Sequence, residues 1–213
     1  MAVNSWALVA IKARAECKSR LAGYLAPNMR LALVRLMLGR VLEALAGAQS
    51  IHRIAVVTPE QDTLPPNVLV LPDAGGGLNA ALDAARNTLL NLGAEELLVL
   101  PADLPLITSA DVDLLVSRGR ITGFALAGDD AGVGTNALYV APPAPFRFQF
   151  GCDSHSHHLA EGMRLGRRPE RIRARGLGVD LDRIEDLLRL RAEGAHPFIT
   201  AAGDPWLRQT RCG

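Results

Sequence analysis

Apolar and polar positions follow two rhythms along this chain. Short unbroken apolar runs at 6–11, 54–57, 68–71 and 97–100 end at a cationic loop or a proline turn. Runs of that length with no polar face predict strands covered on both sides, as in a parallel sheet. Between them apolar residues recur at steps of three and four. Leu33, Val34, Met37, Val41 and Leu45 form one such stripe, opposite Arg30, Arg35 and Glu43. That stripe predicts a long helix capped by Asn28 and stopped by Gly47. A second helix is expected over 80–92, closed by Gly93. A third should run from a Thr108-Ser109-Ala110-Asp111 capping box to about Gly119.

A further strand is expected at 121–127, and then the pattern changes. A Gly/Asp-rich loop at 128–136 leads to a short strand at 137–140 and a link carrying Pro142, Pro143 and Pro145. Phe146-Arg147-Phe148-Gln149-Phe150 alternates like a half-exposed strand. Ser154 is read as the cap of a helix to about 165, and a last helix covers 184–192. Strands alternating with helices predict an α/β fold with a mostly parallel sheet flanked by helices. Neither an internal repeat nor a linker is evident, so a single domain over 1–213 with a decorated C-terminal third is expected. The stretch beyond Gly194 shows no periodicity.

Composition refines this picture only slightly. Of 213 residues 49% are apolar but only 4% aromatic, which favours aliphatic helices packed on a sheet. The formal net charge of +1 advertises no nucleic-acid partner. Cys17, Cys152 and Cys212 are odd in number and lack metal-ligand spacing, so reduced thiols in a cytoplasmic protein are expected. Nothing resembles a signal peptide, and no apolar run approaches the roughly 20 residues of a membrane span. The oligomeric state, a homodimer included, is left open.

The candidate chemistry follows the strands. Asp103 stands between Pro101 and Pro105, just past the run at 97–100, where open α/β sheets bind ligands. A carboxylate there suits a hard cation such as Mg²⁺ beside a phosphate. Asp180 and Asp182 are two apart, so in extended chain both point one way and could join Asp103 in an all-oxygen site. Lys12, Lys18 and Arg20 after the first run could surround a triphosphate. Gly75-Gly76-Gly77-Leu78-Asn79 opens a helix, and glycines there let backbone N–H groups reach a phosphate. Plainer roles stand beside these: a turn cap for Asp103, a helix cap for Asp182, a solvated basic loop, a simple glycine turn. Asp129 and Asp130 read as turn formers. His155, His157 and His158 crowd one short segment without zinc spacing, and the arginines over 164–175 read as a solvated face.

Six motifs occur in order: Trp6-Ala7-Leu8-Val9-x-Ile11-Lys12 with Lys18-Ser19-Arg20-Leu21; Gly77-Leu78-Asn79-x-Ala81-Leu82; Pro101-Ala102-Asp103-Leu104-Pro105; Gly134-Thr135-Asn136-Ala137-Leu138; Phe150-Gly151-x-x-Ser154-x-x-x-His158; and Asp180-Leu181-Asp182 before Glu185-Asp186-Leu187. Together they resemble the 2-phospholactate guanylyltransferase family, which serves biosynthesis of the deazaflavin coenzyme F-420 and whose members use 2-phospholactate, phosphoenolpyruvate or 3-phosphoglycerate. The resemblance implies a nucleotidyltransferase-like fold of the glycosyltransferase-A type, with GTP and a small phosphorylated carboxylic acid as substrates and Mg²⁺ as cofactor. It implies metal carboxylates at Asp103, Asp180 and Asp182, and catalytic roles for Asp103, Lys18 and Arg20. Nucleotide contacts fall to Lys12, Lys18, Arg20, Gly77 and Asn79, and acceptor contacts to Thr135, Gly151 and Ser154. If the helix end at Ser154 is the anion site, a neighbouring cation, His158 or a following arginine, is expected to discriminate acids by length. Two positions depart from the family pattern: Ala10-Ile11-Lys12 replaces Pro-Val-Lys, and His155 follows Ser154.

Overall fold

Each apolar run becomes a strand of one sheet in the computed structural model, which describes residues 3–11, 18–59, 64–73 and 75–192. The strands are β1 (Ser5–Ala10), β2 (Arg53–Thr58), β3 (Val68–Pro72), β4 (Glu96–Pro101), β5 (Phe124–Gly128), β6 (Thr135–Val140) and β7 (Glu170–Arg171). They lie side by side in the order β3-β2-β1-β4-β6-β5-β7. The first four are mutually parallel where they pair. β6 alone is reversed, antiparallel to both β4 and β5, and β7 runs parallel to β5.

Alternation along each strand sorts the core into two faces. Ala7, Val9 and Ile11 pack with Val41, Leu42 and Leu45 of helix α1 (Pro27–Gly47) and Val112, Leu115 and Val116 of α3 (Ser109–Thr122). Trp6 and Leu8 face the other way, onto Ala81, Leu82 and Leu89 of α2 (Leu78–Asn91) and Leu159 of α4 (Ser154–Arg164). Each fully buried aliphatic side chain contributes roughly 1.5–3 kcal/mol, so both helical layers are tied firmly to the sheet. A third cluster joins Leu33, Val34 and Met37 of α1 to Leu181, Leu187 and Leu190, the last two on α6 (Ile184–Ala192). A four-residue helix, α5 (Arg175–Gly178), precedes α6. No helix among the described residues is long and apolar enough to cross a membrane.

Several expectations are corrected in detail. Helix α1 begins with Pro27 in its first turn and no side-chain cap, so Asn28 lies inside it. The capping box of Thr108 and Asp111 forms, but α3 continues past Gly119 to a left-handed stop at Gly123. Gly119 is there for packing: an added Cβ would sit 2.1 Å from a Tyr139 ring carbon. Residues 121 and 122 therefore belong to α3 and β5 starts later. The phenylalanine segment alternates as expected, with Phe146 and Phe148 buried, yet it joins no sheet. Three of its N–H groups go to side chains instead, Arg147 to Glu161, Gln149 to His158 and Phe150 to Asn79, while Phe146 donates to the Pro143 carbonyl. A period of two reports an extended backbone with one inner face, whatever its hydrogen-bond partner.

Candidate active site

The β1–β4 pair is the switch point of the sheet, since the chain leaves β1 toward β2 on one side and returns to β4 on the other. Ligands of open α/β sheets bind in the crevice at such a point. A cavity of about 270 Å³ lies there, lined by Lys18, Arg20, Asp103, Thr135, Phe150 and Asp182 among others. Thr135 is far away in sequence and reaches the crevice because β6 is reversed. An antiparallel neighbour of β4 begins where β4 ends, so the first residues of β6 stand beside the Asp103 turn.

Lys18 is the hub. Its Nζ lies 2.7 Å from Asp103 Oδ2 and 3.5 Å from Asp182 Oδ1, with the side chain only 6% exposed. Its backbone is left-handed at φ 54°, an uncommon and strained choice for a residue with a Cβ. Arg20, outside it, pairs with the other oxygen of Asp182. The Asp180–Asp182 segment is held against the β4 turn by a 3.2 Å bond from Leu181 N–H to the Asp103 carbonyl. Leu181 points into the core and the two carboxylates turn the opposite way, as a spacing of two requires. Asp182 does not cap α6. The Asp186 carboxylate does so, accepting from Asp182 N–H and Arg183 N–H.

Asp180 is a carboxylate under pressure. Burial pushes it above the usual carboxylate range, and Asp103 pushes the same way; Lys18 and the Asn136 amide offset part of this. Asn136 Nδ2 is buried and closes no hydrogen bond of ordinary length. Polar, on a buried strand and beside Asp180, it is a site residue that sequence reasoning passed over. Its signal was an amide inside the apolar 135–140 stretch. Among the described residues no group of three or more His, Cys, Asp or Glu is gathered closely enough to hold a metal ion. The group that bridges Asp103 and Asp182 is the Lys18 ammonium.

The glycine turn has the geometry its composition implies. Gly75, Gly76 and Gly77 have φ of 89°, 87° and 89°, where side chains with a Cβ are strained. No side chain caps α2, so its first N–H groups have no side-chain partner, and Leu78 at its start lines the cavity wall. Asn79 is used differently: Nδ2 donates to the Phe150 carbonyl at 3.0 Å and Oδ1 accepts from Phe150 N–H at 2.8 Å. It braces the wall of the cavity and is not among the lining residues. Lys12 lies outside the described residues.

On the far wall, α4 clamps Thr135. Ser154 and His158 are four residues apart and so share a helix face. Ser154 Oγ accepts from Thr135 N–H at 2.9 Å, and His158 Nδ1 lies 3.0 Å from Thr135 Oγ1. Ser154 is the first helical residue, following Asp153 in a left-handed conformation, and its hydroxyl serves Thr135 in place of the helix end. Gly151, with φ 130°, makes the turn into α4. Neither Gly151 nor Ser154 lines the cavity. His158 is wholly buried, and burial pushes its pKa down to about 4, with His157 and His155 acting the same way. It is neutral at ordinary pH and cannot be the acceptor-reading cation suggested by sequence. Asp129 forms its expected turn, accepting from Val133 N–H and Gly134 N–H, while Asp130 pairs with Arg189.

A mostly parallel sheet with cations and carboxylates at its switch point and a reversed strand beside them is the fold of the nucleotidyltransferases. A structure from Desulfovibrio desulfuricans G20 superimposes with a TM-score of 0.76 at 15% identity, over 98% of this chain and 95% of that one. CMP:2-keto-3-deoxy-manno-octonic acid synthetase complexed with CTP gives 0.56 at 14% identity, over 90% and 98%. The chain belongs to the family described as Guanylyl transferase CofC like, whose model matches residues 5–200. Phosphoenolpyruvate guanylyltransferase of Rubrobacter xylanophilus is 42% identical, covering 90% of this chain and 96% of the relative. The enzyme of the same name from Sphaerobacter thermophilus is 35% identical, over 93% and 96%. A 3-phospho-D-glycerate guanylyltransferase of Phenylobacterium zucineum is also 35% identical, over 86% and 88%.

Proposed function

We propose that this protein transfers GMP from GTP to the phosphate of a small phosphorylated carboxylic acid, phosphoenolpyruvate before 2-phospholactate or 3-phosphoglycerate, and releases pyrophosphate. The observation that carries the reading is the pairing, in one cavity, of a buried Lys18 held by Asp103 and Asp182 with Thr135 on the opposite wall. An acceptor phosphate oxygen forms the new bond to the α-phosphorus while the bond to the β-phosphate oxygen breaks. That oxygen is already ionised, so the chain needs no general base and works by positioning and charge neutralisation. Lys18 has three N–H donors and offers two to carboxylates, which leaves one for a phosphate. Arg20, more exposed, meets charge toward the leaving pyrophosphate, and the uncapped start of α2 adds backbone N–H groups.

A hard divalent cation would have two carboxylate donors here, Asp103 and Asp180, where the sequence offers three. Asp103 and Asp180 are oxygen donors that repel one another, which is part of why the Asp180 carboxyl is raised. Mg²⁺ held by these two would neutralise donor phosphate charge, while Asp182 stays with Lys18 and Arg20. Thr135 binds the acid, with Ser154 and Gly151 shaping the turn behind it. The setting is cytoplasmic supply of a guanylylated precursor of coenzyme F-420. The test is to incubate the protein with GTP, with and without Mg²⁺, and each acid separately, measuring pyrophosphate and trapping the product with the downstream enzyme. Pyrophosphate release that needs one of the acids supports the reading. Release indifferent to the acid, or none with any of the three, overturns it.

A further inference from the structure

We propose that His158 is a positioning residue for the acceptor: it takes up one lone pair of the Thr135 hydroxyl so that the hydroxyl proton is offered to the cavity, selecting ligands that present an anionic oxygen. This rests on the reading of the cavity as a phosphorylated-acid site and adds the residue that sets its polarity.

The argument is one of obligatory donors. Gln149 N–H lies 2.9 Å from His158 Nε2. A backbone N–H can only donate, so Nε2 carries no proton, and a neutral ring then carries it on Nδ1. Nδ1 is 3.0 Å from Thr135 Oγ1, so the ring donates and the hydroxyl accepts. The hydroxyl's own proton is left over. Thr135 has no other donor to give, because its N–H is already bonded to Ser154 Oγ. With the opposite tautomer, Thr135 would donate to the ring and turn lone pairs toward the cavity, which would repel a phosphate or carboxylate. The same side chain in the same place would then select for a donor.

The ring is held against rotation. It is wholly buried, edge-on to Phe150 with centroids 4.6 Å apart and 5.9 Å from Phe146. The Phe146–Phe150 segment, which joins no sheet, thus leaves the Gln149 N–H to donate to the ring and set its tautomer. Burial also keeps the ring neutral, so the arrangement persists across neutral pH.

Two substitutions separate the halves of this relay. An Asn amide nitrogen can take the place of Nδ1 but cannot reach Gln149. A Gln amide oxygen can take the place of Nε2 but leaves Thr135 without its donor. His158→Asn should therefore keep the acceptor KM within about threefold of the parent. His158→Gln should raise it about tenfold or more, the scale of a hydrogen bond to a charged group. The KM for GTP should stay unchanged in both. In a Thr135→Val background, His158→Gln should add nothing further. On the parent, nitrogen-15 shifts of the His158 ring should show the proton on Nδ1, a readout that survives even if a variant fails to fold. A proton on Nε2, equal rises in acceptor KM for Asn and Gln, or additive effects of the His158 and Thr135 changes would each overturn the proposal. If the parent transferred GMP to none of the acids, the cavity's assignment would fall and the proposal with it, while the ring shifts would still report the tautomer.

Discussion

Lys18→Met is the most informative single change in the phosphate wall. It keeps the length and Cβ of the side chain and removes only the ammonium. In the structure that ammonium is enclosed and held 2.7 Å from Asp103, so it cannot drift into solvent, and the strained backbone at φ 54° keeps it there. A preset, charge-assisted bond from such a group to a phosphate is worth about 1.5–3 kcal/mol. Its loss should weaken GTP binding roughly 10- to 150-fold. Arg20 provides the internal control: its side chain is 62% exposed, and an exposed ionic contact is worth about 0.2–1 kcal/mol, at most roughly fivefold. Titration calorimetry with GTP and with GMP, for parent, Lys18→Met and Arg20→Met, gives the comparison. GMP lacks the distal phosphates and should be far less affected. Equal losses for GTP and GMP, or a larger loss from Arg20 than from Lys18, would refute the assignment of Lys18 to the donor phosphates.

Asp103→Asn should cut turnover at least about 100-fold with the melting temperature nearly unchanged, because the carbonyl that holds Leu181 N–H is retained; activity close to the parent's would remove the carboxylate from the mechanism. Gly119→Ala should destabilise by about 1–3 kcal/mol in urea melts, since the new methyl meets the buried Tyr139 ring, whereas Gly39→Ala on the open side of α1 should stabilise by roughly 0.5–1 kcal/mol. Opposite signs at two helical glycines are the outcome to look for. His158, its pKa held near 4 against an ordinary 6.5, binds fewer protons folded than unfolded between those values. Its contribution to stability is complete above about pH 6.5 and is lost toward pH 4, roughly 3 kcal/mol in all. His158→Gln should flatten the fall in stability over that window, and an unchanged slope would contradict the burial argument.

What the chain determined on its own is what depends on neighbours along it. Apolar runs at 97–100 and 54–57 could only be buried strands, the 33–45 stripe could only be one side of a helix, and three successive glycines marked a turn that opens a helix. The alternation of Asp180, Leu181 and Asp182 foretold two carboxylates on one side of an extended segment, because a period of two is a local property. Even the phenylalanine segment was read correctly as backbone conformation and misread only as to its partner. What only the tertiary structure decided concerns groups whose meaning lies in what stands across from them. Direction of pairing is invisible in β6, yet its reversal carries Thr135 and Asn136 to the mouth of β1 and β4. The sequence offers Asp103, Asp180 and Asp182 as one carboxylate set, whereas in the structure Lys18 bridges Asp103 and Asp182, and Asp180 is pushed up by burial and by Asp103. The sequence offers His158 as a cation beside the acceptor, near the start of a helix. Its role follows from enclosure and from one backbone N–H nine residues away, which sets where its proton must sit.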